Sequence, residues 1–163
     1  MWRLFGFNGS LMDRIVYISV PMWGIKDNGL SVADEATKKI NQLWPGCKII
    51  DPTKEKDVYF ECTCGKMHVD YRATLIKDLF HVSEGNVLWL CEGSDYSFGD
   101  NIELSYFKEI ASVKSKQIFE FTVDKDLELV KDSLKVINLD DFHLIAYDTK
   151  QFSLFEKFYS INK

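Results

Sequence analysis

The chain has 163 residues, 46% of them hydrophobic and 14% aromatic, and a formal charge of −5 at pH 7. That length suits one domain able to bury a real core, here taken as residues 1–163. The negative balance excludes the basic footprint of a nucleic-acid polymer reader or an anionic-membrane binder, and no window has the length and apolarity of a bilayer span.

The first apolar stretch, residues 1–7, is soon broken by Asn8, Gly9 and Ser10. It reads as part of an N-terminal extension (1–13) rather than a signal segment, and the expected location is the cytoplasm. Four cysteines in a chain this long suggest no disulfide framework. Residues 14–20 form a β-branched run that predicts the first strand, ended by Pro21. After the turn Asp27-Asn28-Gly29, Ser31 is expected to cap a helix whose Val32, Ala36, Ile40 and Leu43 share a face. Trp44-Pro45-Gly46 stops it, and residues 48–50 predict a second strand. Residues 53–69 read as a polar, cysteine-bearing inserted loop.

Residues 70–82 return to helical spacing through Ala73, Ile76, Leu79 and Phe80. Residues 87–91 predict a third strand, apolar throughout as a strand covered on both faces should be. A helix is expected from Asn101, a strand over 117–121, a charged helix over about 125–134 and a last strand over 143–147. Thr149 would cap a final helix carrying Phe152, Phe155, Phe158 and Tyr159, a stripe for core or subunit contacts. Strands alternating with helices predict an α/β three-layer sandwich around a mostly parallel five-stranded sheet.

In such a sheet, ligands bind outside the carboxyl ends of the strands. Tyr17 in the first strand, Asp78 in the helix before the third, and Glu103 just after the third fall where the fold brings them to that rim. Each also has a plainer reading. Tyr17 suits a core position with its hydroxyl satisfied locally, and Asp78 suits a solvated helical acid. Asp100-x-x-Glu103 fits a capping box.

Together, a strand tyrosine, an aspartate before an apolar strand and Ser97-Phe98-Gly99 leading into Ile102-Glu103-Leu104 resemble the nucleoside 2-deoxyribosyltransferase superfamily. That group includes the 2'-deoxynucleoside 5'-phosphate N-hydrolases. The resemblance extends from Ile15 to about Phe121, and Val16-Tyr17-Ile18 followed by Pro21-Met22-Trp23-Gly24 adds to it. It implies a flavodoxin-like fold, no cofactor, and cleavage or exchange of the bond between a sugar C1' and a nucleobase. By that resemblance Glu103 is the nucleophile, Tyr17 its orienter and Asp78 the acid that protonates the departing base. Ser97 and Gly99 would hold the 5' end of a nucleoside or nucleotide substrate, and Asn101 is a further substrate-binding candidate. Met22 is a further substrate-binding candidate, and the aromatic faces of Trp23, Phe98 and Tyr96 suit stacking on a base as well as they suit core or interface packing. The resemblance further implies a homodimer or larger homo-oligomer.

The chemistry suits these residue types. A carboxylate beside an anomeric carbon stabilises oxocarbenium character or bonds covalently, and a helix N-terminus would keep Glu103 ionised. Serine at position 97 resembles the nucleotide hydrolases, since it accepts a phosphate without repulsion. Trp23 stands where those hydrolases carry a basic residue, so a phosphate would need Lys26, Arg14 or a neighbouring subunit. Cys62, Cys64 and His68, with Cys47, offer ligands for zinc. A single knuckle is visible, so the loop is read instead as a cover over the base pocket. Two rivals to an enzyme remain: a nucleotide-binding sensor that lost turnover, and an interaction module in which Glu103 only caps a helix.

Overall fold

The structure is a computed structural model that describes residues 14–22, 26–94, 97–114, 121–123, 125, 127–135 and 142–147. The predicted final helix, the N-terminal extension and residues 117–120 of the predicted fourth strand of the sheet lie outside these.

Strand β1 (Ile15–Ser19) leads through a tight left-handed turn into helix α1 (Leu30–Leu43) and then strand β2 (Lys48–Ile50). Gly29 is required at that turn: its φ is +82°, and a Cβ there would lie 2.7 Å from the Pro21 carbonyl oxygen. Ser31 does not cap α1 as its position suggested. Asp27 instead accepts from the Ser31 amide at 3.3 Å and from its hydroxyl, and Ser31 lies inside the first turn.

The stretch read as an inserted loop contains an antiparallel hairpin, β3 (Tyr59–Glu61) with β4 (Met67–Val69). Helix α2 (Tyr71–Glu84) is capped by Asp70, whose carboxylate accepts from the Ala73 amide at 3.0 Å. Strand β5 (Val87–Leu90) and helix α3 (Phe98–Lys114) follow, then β6 (Phe121–Val123), α4 (Leu127–Lys135) and β7 (His143–Ala146). Among the described residues, no helix is long and apolar enough to cross a membrane.

The main sheet has five strands, all parallel, in the order β2-β1-β5-β7-β6. The α/β sandwich read from the sequence is therefore present. At one edge the order departs from the flavodoxin-like series, because the last strand in the chain lies inside and its predecessor outside. Alternation along each strand divides the core in two. Tyr17, Leu88, Leu90, Leu144 and Ala146 face Val82 of α2 with Leu104 and Phe107 of α3. Val16, Ile18, Val87, Trp89 and Ile145 face Ala33, Ala36 and Ile40 of α1 with Leu127 and Leu134 of α4. Within α2 the predicted apolar face is split: Ala73 and Leu79 are half-buried, whereas Ile76 and Phe80 are exposed, and it is Val82 that is fully buried.

The chain leaves β1 toward β2 on one side, then returns to place β5 on the other. Between the carboxyl ends of β1 and β5 lies the reversal of direction that makes a crevice in open α/β sheets.

Candidate active site

At that switch point lies a buried carboxylate. Glu103 of α3 is only 5% exposed, and its two oxygens are held from β1. The Tyr17 hydroxyl donates to Oε2, and the Ser19 hydroxyl donates to Oε1 at 2.9 Å. Tyr17 and Ser19 are two residues apart on a strand, so both side chains point to the same face. A residue between them would point to the α1 side. Ser94, in the turn after β5, ties that turn back to β1 by donating to the Ser19 and Cys91 carbonyls at 3.0 and 2.7 Å. The site is thus built from two neighbouring strands and the helix between layers.

A second carboxyl joins Glu103. Asp100 lies one turn earlier on α3, is 5% exposed, and its Oδ2 has no hydrogen-bond partner among the described residues. Burial pushes the Asp100 carboxyl up to about 6, against the lowering influence of Glu103 and of the Ser94, Ser19 and Ser97 hydroxyls. Glu103 is raised well above the ordinary carboxylate range, first by burial and then by the Asp100 charge. The Tyr17 and Ser19 donors work in the opposite direction, toward the anion. The same surroundings raise the Tyr17 hydroxyl, again chiefly through burial, so Tyr17 stays a donor.

This overturns the expectation that a helix N-terminus keeps Glu103 ionised. Helix α3 begins at Phe98, earlier than the sequence suggested, so Glu103 sits in its second turn, beyond the reach of the terminal dipole. The capping-box reading fails for the same reason. Ser97 occupies the cap, its hydroxyl oxygen accepting from the Asp100 amide at 3.4 Å, and both acids fall inside the helix.

Asp78 of α2 is half-buried and faces this group. Its negative charge raises both Tyr17 and Glu103, although among the described residues it makes no hydrogen bond to either. Burial raises the Asp78 carboxyl itself, while Lys77 and His81 pull it down and Asp57 and Glu55 push it up. The raised proton affinity is the property a general acid needs.

At the mouth, Ser97 and Gly99 are half-buried and Phe98 is 82% exposed. A Cβ on Gly99 would meet nothing within 4 Å, so the protein leaves open space there. Asn101 is half-buried on the same helix, its amide bonded to the Ser97 carbonyl at 3.0 Å. Met22 does not join them. It packs against the α1-side core, on the face of the sheet opposite Glu103. Trp23, Asp95 and Tyr96 lie outside the described residues.

Arg14 is likewise no help to a phosphate at this rim. It precedes β1, at the amino end of the sheet, and is 2% exposed with its guanidinium 4.9 Å above the Trp44 ring. Cys47 stands near Arg14 at that end, which removes it from any zinc set with Cys62, Cys64 and His68. Those three do converge on the β3–β4 hairpin, where Cys62 and Cys64 are joined by a disulfide within the turn, a local bridge rather than a framework.

Two members of the site were missed by sequence reasoning. Ser19 was available from strand alternation with Tyr17, and Asp100 from its helical spacing to Glu103. A lone serine in an apolar strand carries no signal of its own, and Asp100-x-x-Glu103 fitted a cap.

No protein-family model matches the chain, and no curated protein matches it. Among solved structures it is similar to a crystal structure of a conserved protein from Enterococcus faecalis V583, with 15% identity and a TM-score of 0.51. The match covers 88% of this chain and 87% of that one, and at this identity it shows the α/β fold alone.

Proposed function

We propose that the protein cleaves or exchanges the N-glycosidic bond of a (deoxy)ribonucleoside or nucleoside 5'-monophosphate, with Glu103 as the nucleophile. The observation that carries this reading is a carboxylate buried at the sheet's switch point with hydroxyl donors fixed on both its oxygens. Orientation by two donors leaves the remaining lone pairs in a defined direction, which is what in-line attack on an anomeric carbon requires.

In the first half-reaction a Glu103 oxygen bonds to C1' as the C1'–N bond breaks, and the base leaves with its bonding pair. A proton from Asp78 or Asp100 neutralises the departing nitrogen, both carboxyls having the raised proton affinity this needs. Water, or a second base, then attacks C1' and releases Glu103. The 5' end of the substrate would rest by Ser97 and in the open space at Gly99, where the first amides of α3 suit a hydroxyl or an anion. The exposed Phe98 offers a face for the planar base.

The test is intact-mass analysis after incubation with a panel of deoxynucleosides and their monophosphates. A sugar-sized adduct on the wild-type chain, absent in Glu103→Gln, supports the reading. Absence of both adduct and free base across the panel counts against it. Adding a second free base then separates exchange from hydrolysis by whether a new nucleoside forms.

A second reading, a nucleotide-binding protein without turnover, draws support from Glu103 itself. Burial beside Asp100 favours its protonated form, which binds by hydrogen bonds but does not attack carbon. Saturable binding with no base released at any pH up to about 9 would favour it, since Glu103 is ionised once the pH exceeds even a strongly raised carboxyl pKa.

A further inference from the structure

The β3–β4 hairpin is poorly equipped to hold itself together. Each strand has three residues, and all are exposed except the half-buried Val69. Two short strands without a buried face are marginal in water. The Cys62–Cys64 bond does not solve the problem. It joins residues two apart in the chain, so it closes a minimal loop within the turn and leaves β4 unconnected.

His68 changes the picture, because it sits on β4 opposite Phe60 of β3. Its Nε2 lies 3.9 Å from the Cys64 sulfur, and the donor atoms of Cys62, Cys64 and His68 are all within 4.8 Å of one another. Tetrahedral zinc, with bonds of about 2.3 Å to sulfur and about 2.0 Å to nitrogen, sets its ligands roughly 3.5–3.8 Å apart. The turn is also shaped for a thiolate. The Cys64 amide donates to the Cys62 sulfur at 3.3 Å, and Gly65, at φ +83°, lets its own amide reach the Cys62 carbonyl at 2.9 Å. An N–H aimed at sulfur favours the ionised form.

We propose that Cys62, Cys64 and His68 form a metal site for zinc or a similar thiophilic divalent cation, with the Cys62–Cys64 disulfide as its oxidised, metal-free form. Metal bound there ties the turn to β4, which the disulfide alone cannot do. A hollow of about 490 Å³ borders Cys62 and His68 and leaves room for a water as the fourth ligand. Asp70, also on its wall, is already committed to capping α2.

Conversion between the forms balances simply. Two small thiols, RSH, reduce the protein disulfide to two cysteine thiols and leave as RSSR. Each cysteine thiol then releases one proton as its sulfur bonds to the cation, and neutral His68 donates a lone pair.

The site has a bearing on the crevice, although the proposal does not depend on the enzymatic reading. The hairpin grows from residues 55–58, whose Asp57 and Glu55 act on Asp78 and whose Val58 amide donates to Thr74 of α2 at 3.0 Å.

The experiment uses the full chain, reduced with a phosphine that is then removed, and titrated with Co²⁺ without oxygen. The expected result is one cobalt ion per chain, with thiolate charge-transfer absorption in the near ultraviolet, tetrahedral bands in the visible, and displacement by Zn²⁺. His68→Ala should weaken cobalt binding at least about tenfold, and Cys62→Ser with Cys64→Ser should abolish the charge-transfer band. Zinc should also slow hydrogen exchange at the 67–69 amides by at least about tenfold relative to the disulfide form. Either of two outcomes overturns the proposal: no thiolate–cobalt absorption from the reduced wild-type chain at millimolar Co²⁺, or the same absorption in the double serine variant. Because these side chains lie on an exposed hairpin outside both core clusters, unchanged circular dichroism distinguishes lost binding from lost folding.

Discussion

The two ends of the central sheet bury opposite kinds of charge, and do so differently. At the amino end, Arg14 and His143 are each 2% exposed, the guanidinium lies over Trp44, and the Trp44 indole donates to the Leu134 carbonyl at 3.0 Å. Asn86 closes the same end by accepting from the Ile15 amide at 3.2 Å. At the carboxyl end, Glu103 and Asp100 are equally buried, yet they lie next to a half-open lip formed by Ser97, Phe98 and Gly99. Buried charge sealed under an aromatic lid is an element of architecture. Buried charge beside open space, with donors aimed at it, is the arrangement on which the proposed function rests. Burial alone would not have told the two apart.

Removing the carboxylate at the open end should have the largest effect. Glu103→Gln keeps the shape and can still meet Ser19, but an amide does not attack C1'. Base release should fall by at least roughly 10³-fold, the scale on which loss of a nucleophile is felt. Retained turnover within tenfold of wild type, measured by base release under single-turnover conditions, would remove Glu103 from the mechanism.

The two ends should also respond to pH with opposite signs. Asp100 binds its proton more tightly folded than unfolded, having moved from 3.8 up to about 6. The folded state therefore holds more protons between roughly pH 4 and pH 6, so this group costs stability as the pH rises through that window. The cost at neutral pH is on the order of 2–3 kcal/mol. His143 moves the other way, from 6.5 down to about 4, because burial and Arg14 disfavour its cation. Its contribution is intact above about pH 6.5 and is lost as the pH falls toward 4. In the wild-type chain these slopes partly cancel. Asp100→Asn should remove the Asp100 share of the falling slope and raise stability at pH 7, while Glu103, also raised, keeps its own falling slope beside the rising one of His143; denaturant melts at pH 4, 5, 6 and 7 would read the change. An unchanged pH profile in Asp100→Asn would mean that the carboxyl titrates as an ordinary surface acid.

Tyr17→Phe sharpens the account of the open end at smaller amplitude. It removes a hydroxyl that donates to Glu103 and leaves the ring in place. A hydrogen bond to a charged group is worth about 1.5–3 kcal/mol, so kcat should drop by roughly 10–100-fold. Because that bond favours the Glu103 anion, its loss should also move the acidic edge of the pH–rate profile upward. A fall in rate with no movement of the edge would recast Tyr17 as a packing residue.

The contrast between the ends also explains what the sequence disclosed. The strands and helices were legible because apolar runs such as 87–90 and the spacing of Ala36, Ile40 and Leu43 follow from burial against a layer. Tyr17 and Glu103 stood out through the strand–turn–helix setting of Glu103 and the resemblance that links the two, and the structure brings their side chains into contact. What stayed hidden depended on three-dimensional placement. Helix α3 starts at Phe98 rather than Asn101 because Ser97 takes the cap, and that shift turns Asp100 from a terminus into a second buried acid. Met22 packs on the α1 side because its place along the extended backbone sets which face of the sheet it meets. The exchange of β6 and β7 at the sheet edge is a tertiary choice with no local signature.

Gly99→Ala is the smallest change and the most discriminating for the lip. In the protein alone the new methyl meets nothing within 4 Å. The position is helical, where alanine is preferred over glycine by about 0.5–1 kcal/mol, so stability should hold or rise slightly. If the 5' end of a substrate occupies that space, the same methyl intrudes on it, and KM should increase several-fold with kcat little altered. An increase in thermal stability accompanied by unchanged KM would show that the space at Gly99 is simply solvent. The substrate would then have to enter from the Asp78 side of the crevice, and the roles given to Ser97 and Phe98 would fall with it.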